Sequence, residues 1–138
     1  VPFFENPSWE QAVLRLVYTA TYRHAVATIK GQVVKLNTDG KVIPTTADNH
    51  PSLGVVYETR DAPENEPGNH KPIMVVMDGH LTLYNGSAAT IIPGASVKGI
   101  LDGAIAATTT TGDYVIGMAT EEIPAGTWGR VYIQQGRV

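Results

Sequence analysis

The sequence predicts an all-β fold, a compact sandwich or barrel built from two pseudo-repeated halves with an extended N-terminal arm. Three observations carry that prediction. Short apolar runs alternate with turn signals spaced roughly 8–12 residues apart, and no long segment shows the 3.6-residue period of an amphipathic helix. Glycine and proline are abundant, 14 and 9 of 138 residues, above their average share. A stretch of 34 residues recurs 63 positions later in the chain.

The elements follow in order. Residues 1–12 form the arm, in which Pro2 and Pro7 exclude regular structure around Phe3, Phe4 and Trp9. Ser8-Trp9-Glu10-Gln11 has the form of a capping box and opens at most one helical turn. Residues 13–138 form one β domain. From Val13 the chain alternates as a strand does, with Leu14, Leu16, Tyr18, Ala20 and Tyr22 on one face. Gln32–Leu36 and Lys41–Ile43 flank Asn37-Thr38-Asp39-Gly40, a hairpin with glycine at the left-handed position. Leu53–Tyr57 is a third run. Ile73–Met77 and His80–Tyr84 flank Asp78-Gly79, which suits a type I′ turn and predicts another hairpin. Val97–Leu101, Ala104–Ala106, Tyr114–Ala119 and Trp128–Ile133 bring the total to about ten short strands.

The repeat places residues 25–58 on 88–121 without a gap. Eleven of the 34 positions are identical: Ala25/Ala88, Ile29/Ile92, Gly31/Gly94, Val34/Val97, Lys35/Lys98, Asp39/Asp102, Gly40/Gly103, Thr45/Thr108, Thr46/Thr109, Gly54/Gly117 and Glu58/Glu121. Beyond this the register slips by five residues, so that Lys71-Pro-Ile-Met-Val lies on Gly129-Arg-Val-Tyr-Ile. The extra residues fall in Asp61–Asn69, and the two copies span about 25–77 and 88–135. Neither half has enough apolar surface to fold alone, so the two are expected to share one core, with Val34 and Val97 both pointing into it.

At these residues a family likeness emerges. The halves read Gly31-Gln-Val-Val-Lys-Leu-Asn-Thr-Asp-Gly-Lys-Val and Gly94-Ala-Ser-Val-Lys-Gly-Ile-Leu-Asp-Gly-Ala-Ile. The second continues Tyr114-Val-Ile-Gly-Met through Ile123-Pro-Ala-Gly to Arg130-Val-Tyr-Ile. Over about residues 20–135 this pattern resembles the small head-decoration, or cement, proteins of tailed phages. The resemblance implies a β-rich protomer, commonly a homotrimer, bound to the outer surface of an assembled capsid. There it would clamp neighbouring copies of the major capsid protein as a virion component, with no enzymatic activity and no cofactor. The Asp61–Asn69 loop and the aromatic arm depart from the family pattern.

Composition and spacing exclude several other classes. The chain has no cysteine, so disulfides, thiolate zinc sites and a cysteine nucleophile are absent. Ten basic against thirteen acidic residues leave a net charge of −3, the reverse of the basic surplus that phosphate backbones select, so no nucleic-acid partner is expected. No apolar run approaches the roughly 18 residues of a membrane span. Val1-Pro-Phe-Phe-Glu-Asn-Pro lacks a basic leader and does not read as a signal peptide. His24, His50, His70 and His80 have no metal-ligand spacing. Gly94-Ala-Ser-Val-Lys-Gly misses the nucleophile-elbow pattern by one residue, which leaves Ser96 without that role. Asp61, Glu64 and Glu66 read as a solvated loop rather than a Ca²⁺ site. Asn85-Gly86-Ser87 matches a glycosylation sequon but reads as a turn.

The remaining candidates are aromatic. Phe3, Phe4 and Trp9 are the expected partner-binding residues, because large aromatics are enriched as interface anchors. An alternative is a carbohydrate-binding or adhesin-type module using Tyr114, Trp128 and Tyr132, which requires those rings to be exposed and coplanar.

Overall fold

A computed structural model describes residues 15–63 and 72–137. The arm with its capping box, Val13 and Leu14, and residues 64–71 of the acidic loop lie outside the described residues.

The described chain is all-β: one curled antiparallel sheet that forms a half-barrel. Its strands are β1 (Arg15–Tyr22), β2 (Val33–Leu36), β3 (Val42–Pro44), β4 (Gly54–Val56), β5 (Ile73–Tyr84), β6 (Ser96–Gly99), β7 (Ile105–Ala107), β8 (Tyr114–Ala119) and β9 (Trp128–Arg137). Neighbours follow the order β3-β2-β4-β5-β9-β8-β6-β7, with β1 paired to β5.

The two copies of the repeat pair alike. In the first, Val34 lies opposite Pro44 and Leu36 opposite Val42; in the second, Val97 lies opposite Ala107 and Gly99 opposite Ile105. Val33–Val55 and Val34–Gly54 correspond in the same way to Ser96–Met118 and Val97–Gly117. Every one of these pairs is offset by 63. The loops repeat as well. Thr28 and Arg60 exchange backbone hydrogen bonds as Ile91 and Ile123 do, and the Gly40 and Gly103 amides close equivalent turns on Asn37 and Ile100. Both turn glycines carry positive φ, 74° and 75°, which a residue with a Cβ adopts only at a cost.

The repeat differs from its sequence alignment at both ends. Before Thr28 the structural match is Ala25 with Gly86, since these two amides donate to the equivalent carbonyls of Val42 and Ile105. The identity Ala25/Ala88 is therefore not a structural equivalence. After β4 the pairs Val55–Val76 and Val56–Val75 correspond to Met118–Tyr132 and Ala119–Val131. That offset of 56 makes the slip seven residues rather than five. Alternating apolar residues fit a strand equally well at either spacing, so sequence alone does not choose between them.

The hairpin expected at Asp78-Gly79 does not form. Residues 73–84 are one continuous strand, β5, pairing with β4 at Val75 and Val76 and with β9 from Asp78 to Tyr84. A type I′ turn requires positive φ at both central residues, and only Gly79 has it. With β4, β9 and β1 all pairing to it, the segment gains more backbone hydrogen bonds extended than folded on itself.

The same place carries a switch of face. Val76 joins the main core, and after it the core residues of β5 are Leu81 and Leu83, so the alternation slips by one between them. Met77 instead packs against a second, smaller cluster. One irregularity thus turns the two halves oppositely. Val97, Ile105, Ala119 and Val131 line the inner face and form the main core with Ile91, Ile116, Ile123 and Ile133. Their counterparts Val34, Val42, Val56 and Val75 are equally buried, but they form the second cluster on the outer face with Ile73, Tyr22 and Leu53. The expectation that Val34 and Val97 point into one shared core is corrected: the halves contribute opposite faces.

Side chains tie the far ends of the sheet together. Thr45 Oγ1 donates to the Ile100 carbonyl at 2.7 Å, and Gln32 Nε2 donates to the Asp102 carbonyl at 3.0 Å. Asn49 donates to the Gly112 carbonyl and accepts from the Tyr114 amide, 3.1 and 3.0 Å. Each bond joins the first half to the second.

Candidate interaction surface

On the outer side of the second half, one row of residues crosses the strands. The pairings Arg15–His80, His80–Tyr132, Tyr132–Met118 and Met118–Ser96 place β1, β5, β9, β8 and β6 side by side. In the first half the corresponding residues of the last three are Val76, Val55 and Val33, all fully buried in the main core. Because of the face switch in β5, the second-half residues face outward instead. Met118 is 43% exposed, and Tyr132 and Ser96 are half-buried. The His80 ring stacks on Tyr132 with centroids 4.7 Å apart and planes 24° apart. Beside this row lies an open groove of about 410 Å³, lined by Ser96, Val115, Met118, Tyr132, Gln134 and Gln135.

The groove has little capacity for covalent chemistry. Among the described residues that line it there is no histidine or carboxylate to take the proton of Ser96. His24 is buried with its Nε2 3.0 Å from the Asp61 carbonyl, His50 is exposed, and His80 stacks on Tyr132; His70 lies outside the described residues. No group of three or more potential metal ligands occurs among the described residues. Asp61 accepts the Ala62 amide at 2.7 Å, while Glu64 and Glu66 lie outside the described residues.

Asn85 is fully buried, with Nδ2 donating to the carbonyls of Ala89 and Ile123 and Oδ1 accepting from the Ser87 amide and hydroxyl. Its amide holds the chain turn after β5. A sugar cannot be attached to it in the folded state.

A polar network lies at the end of β7. Asp113 Oδ2 accepts from Thr108 Oγ1 at 2.5 Å and from Lys98 Nζ at 2.9 Å. The Thr108 bond, then the Lys98 ammonium, hold the Asp113 carboxyl below its ordinary pKa, against the desolvation that opposes ionisation. The first half has Thr45 where this network has Thr108, but His50 where it has Asp113, so the network belongs to one half only.

The predicted aromatics do not come together as one platform. Tyr132 lines the outer groove, Tyr114 lines a separate pocket with His50 and Lys98, and Trp128 meets Tyr84 at a 60° tilt. Phe3, Phe4 and Trp9 lie outside the described residues.

Sequence reasoning missed the outer row. Its one trace in the repeat is Ser96, which aligns with the apolar Val33, whereas Met118 aligns with Val55 as one apolar residue with another. Reading that mismatch required knowing that the two halves face opposite ways.

No family model matches this chain, and no curated protein matches it. Among solved structures it is similar to the head fiber gp8.5 N base of bacteriophage phi29, with a TM-score of 0.61 at 17% identity. The match covers 88% of this chain and 97% of that one. The two share a fold.

Proposed function

We propose that this protein is a structural component of a phage virion, one that decorates the outer surface of the assembled capsid and stabilises it by bridging neighbouring capsid subunits. The observation that carries the reading is the shared fold with a phage head fiber base over nearly all of that base. The sequence resemblance of about residues 20–135 to head-decoration proteins points the same way. In this reading the partners are the major capsid protein and further copies of this chain, assembled as a homotrimer. Catalysis has no part in it. Phe3, Phe4 and Trp9 are the apolar anchors of the interface, since each aromatic removes ~150–250 Å² from water when buried.

The test is co-sedimentation of the purified protein with shells of the major capsid protein from the phage that encodes it. Saturable binding, with shells that resist heat better once loaded, supports the reading. Protein left in the supernatant at micromolar concentration overturns it.

A further inference from the structure

We propose that the outer groove of the second half binds a neutral hexose saccharide, with Tyr132 taking a face of the sugar and the carboxamides of Gln134 and Gln135 taking its hydroxyls. The first ground is a bulge. Strand β8 advances two residues from Val115 to Gly117, while its partner β9 advances three, from Gly136 to Ile133. Successive side chains of a regular strand leave on opposite faces. The extra residue in β9 lets Gln134 and Gln135 line the same groove. A carboxamide carries both donors and an acceptor, so two neighbouring amides match the paired donors and acceptors of adjacent sugar hydroxyls. Gln134 is exposed, and Gln135 Nε2 donates to the Leu53 carbonyl, which holds that side chain in place.

The second ground is the ring. His80 stacks on Tyr132 with centroids 4.7 Å apart, and Tyr132 remains half-buried where it lines the groove. A ring braced in this way offers a flat apolar surface to the C–H face of a pyranose with little further ordering to pay. The third ground is charge. The described residues that line the groove include no lysine, arginine, histidine, aspartate or glutamate. Nothing among them pairs with a phosphate, a carboxylate or an ammonium group, so the lining selects a ligand that is polar and uncharged. The groove's volume of about 410 Å³ lies within the range of small-ligand sites.

The site belongs to one half of the repeat. The first-half counterparts of Ser96, Met118 and Tyr132 are Val33, Val55 and Val76, all buried in the main core. Where the face switch turns these positions outward, the chain carries a hydroxyl, a thioether and a phenol in place of three valines. The site uses one braced ring flanked by amides, not a platform of three rings. The inference is independent of the capsid reading, because the groove forms in the isolated chain.

The test is an amide NMR titration of the full-length protein with maltose, cellobiose and diacetylchitobiose, beside glucuronate as the charged counterpart. At least one neutral disaccharide is expected to give saturable shifts at millimolar concentration, largest at Ser96, Met118, Tyr132 and Gln134, and glucuronate is expected to give none. Gly136 lines the groove, its backbone lies outside the left-handed region, and nothing lies within 4 Å of its Cβ position. Gly136→Leu therefore adds bulk there without a clash and is expected to weaken binding at least tenfold. Gln134→Ala, at an exposed position, is expected to weaken it several-fold, while Tyr114→Phe, in a separate pocket, leaves it unchanged. No saturable shift from any of the three disaccharides, shifts centred away from the groove, equal binding of glucuronate, or full affinity in Gly136→Leu overturns the proposal.

Discussion

Replacing Gly117 by alanine tests the packing logic of the repeat. A Cβ built on Gly117 falls 2.1 Å from the Tyr132 carbonyl oxygen and 3.0 Å from its carbon, on the neighbouring strand β9. Non-bonded carbon and oxygen approach no closer than about 3 Å, so β8 and β9 would have to separate locally by nearly 1 Å. Both contacts are backbone, which cannot rotate away as a side-chain tip does. Overpacking of a filled interior costs ~1–3 kcal/mol, occasionally more, and the rigid neighbour puts Gly117→Ala at the upper end, about 3 kcal/mol. For a chain of this size each kcal/mol moves Tm by about 3 °C, so a fall of roughly 10 °C is expected. Gly54, its counterpart, meets the Val76 carbonyl oxygen at 2.3 Å, and Gly54→Ala should lose a similar amount. Gly136→Ala is the internal control, because nothing lies within 4 Å of its Cβ position; it should stay within ~0.5 kcal/mol of the parent. The assay is thermal and urea unfolding of the three variants side by side. A Gly117→Ala protein that melts with Gly136→Ala would refute the claim that these glycines are set by strand approach.

Asp113→Asn should lower stability at neutral pH, because it removes a buried carboxylate that accepts from Thr108 and Lys98. Since folding lowers the pKa of this group, its contribution is present above the unfolded value of about 3.9 and fades as pH falls through the folded value. The gap between parent and variant should therefore close on acidification below about pH 4; a gap that persists unchanged at pH 2 counts against the network. Deleting residues 1–9 should leave the circular dichroism of the sheet intact while reducing capsid binding at least tenfold, measured by co-sedimentation; full binding by the truncated chain would remove the arm from the interface. Sedimentation at micromolar concentration should show a trimer of the 14.8 kDa chain, and a monomer alone would argue against a stable trimer off the capsid.

Much of the fold was legible because its signals are local. Glycine at 40 and 103, the Val-Lys pairs at 34–35 and 97–98, and Gly-Val or Gly-Met at 54–55 and 117–118 each impose a turn or a strand pairing that recurs at the same offset. What stayed hidden depends on contacts distant in sequence. Asp78-Gly79 has the composition of a hairpin turn, yet pairing with β1, β4 and β9 holds it extended. The one-residue slip that follows Val76 then decides which face of every second-half strand meets the core, and in the repeat its trace is Ser96 in place of the apolar Val33. The candidate surface was hidden for that reason: Met118 and Tyr132 sit in runs that read as core, and only the face switch turns them outward.

The most direct test of the account is a reconstruction of the virion of the encoding phage by electron cryomicroscopy, with density for this protein fitted on the capsid. The account predicts the half-barrel on the outer surface, at a junction where it contacts two or more capsid subunits. Density resting on a single subunit, lying inside the shell, or missing from virions altogether would contradict it.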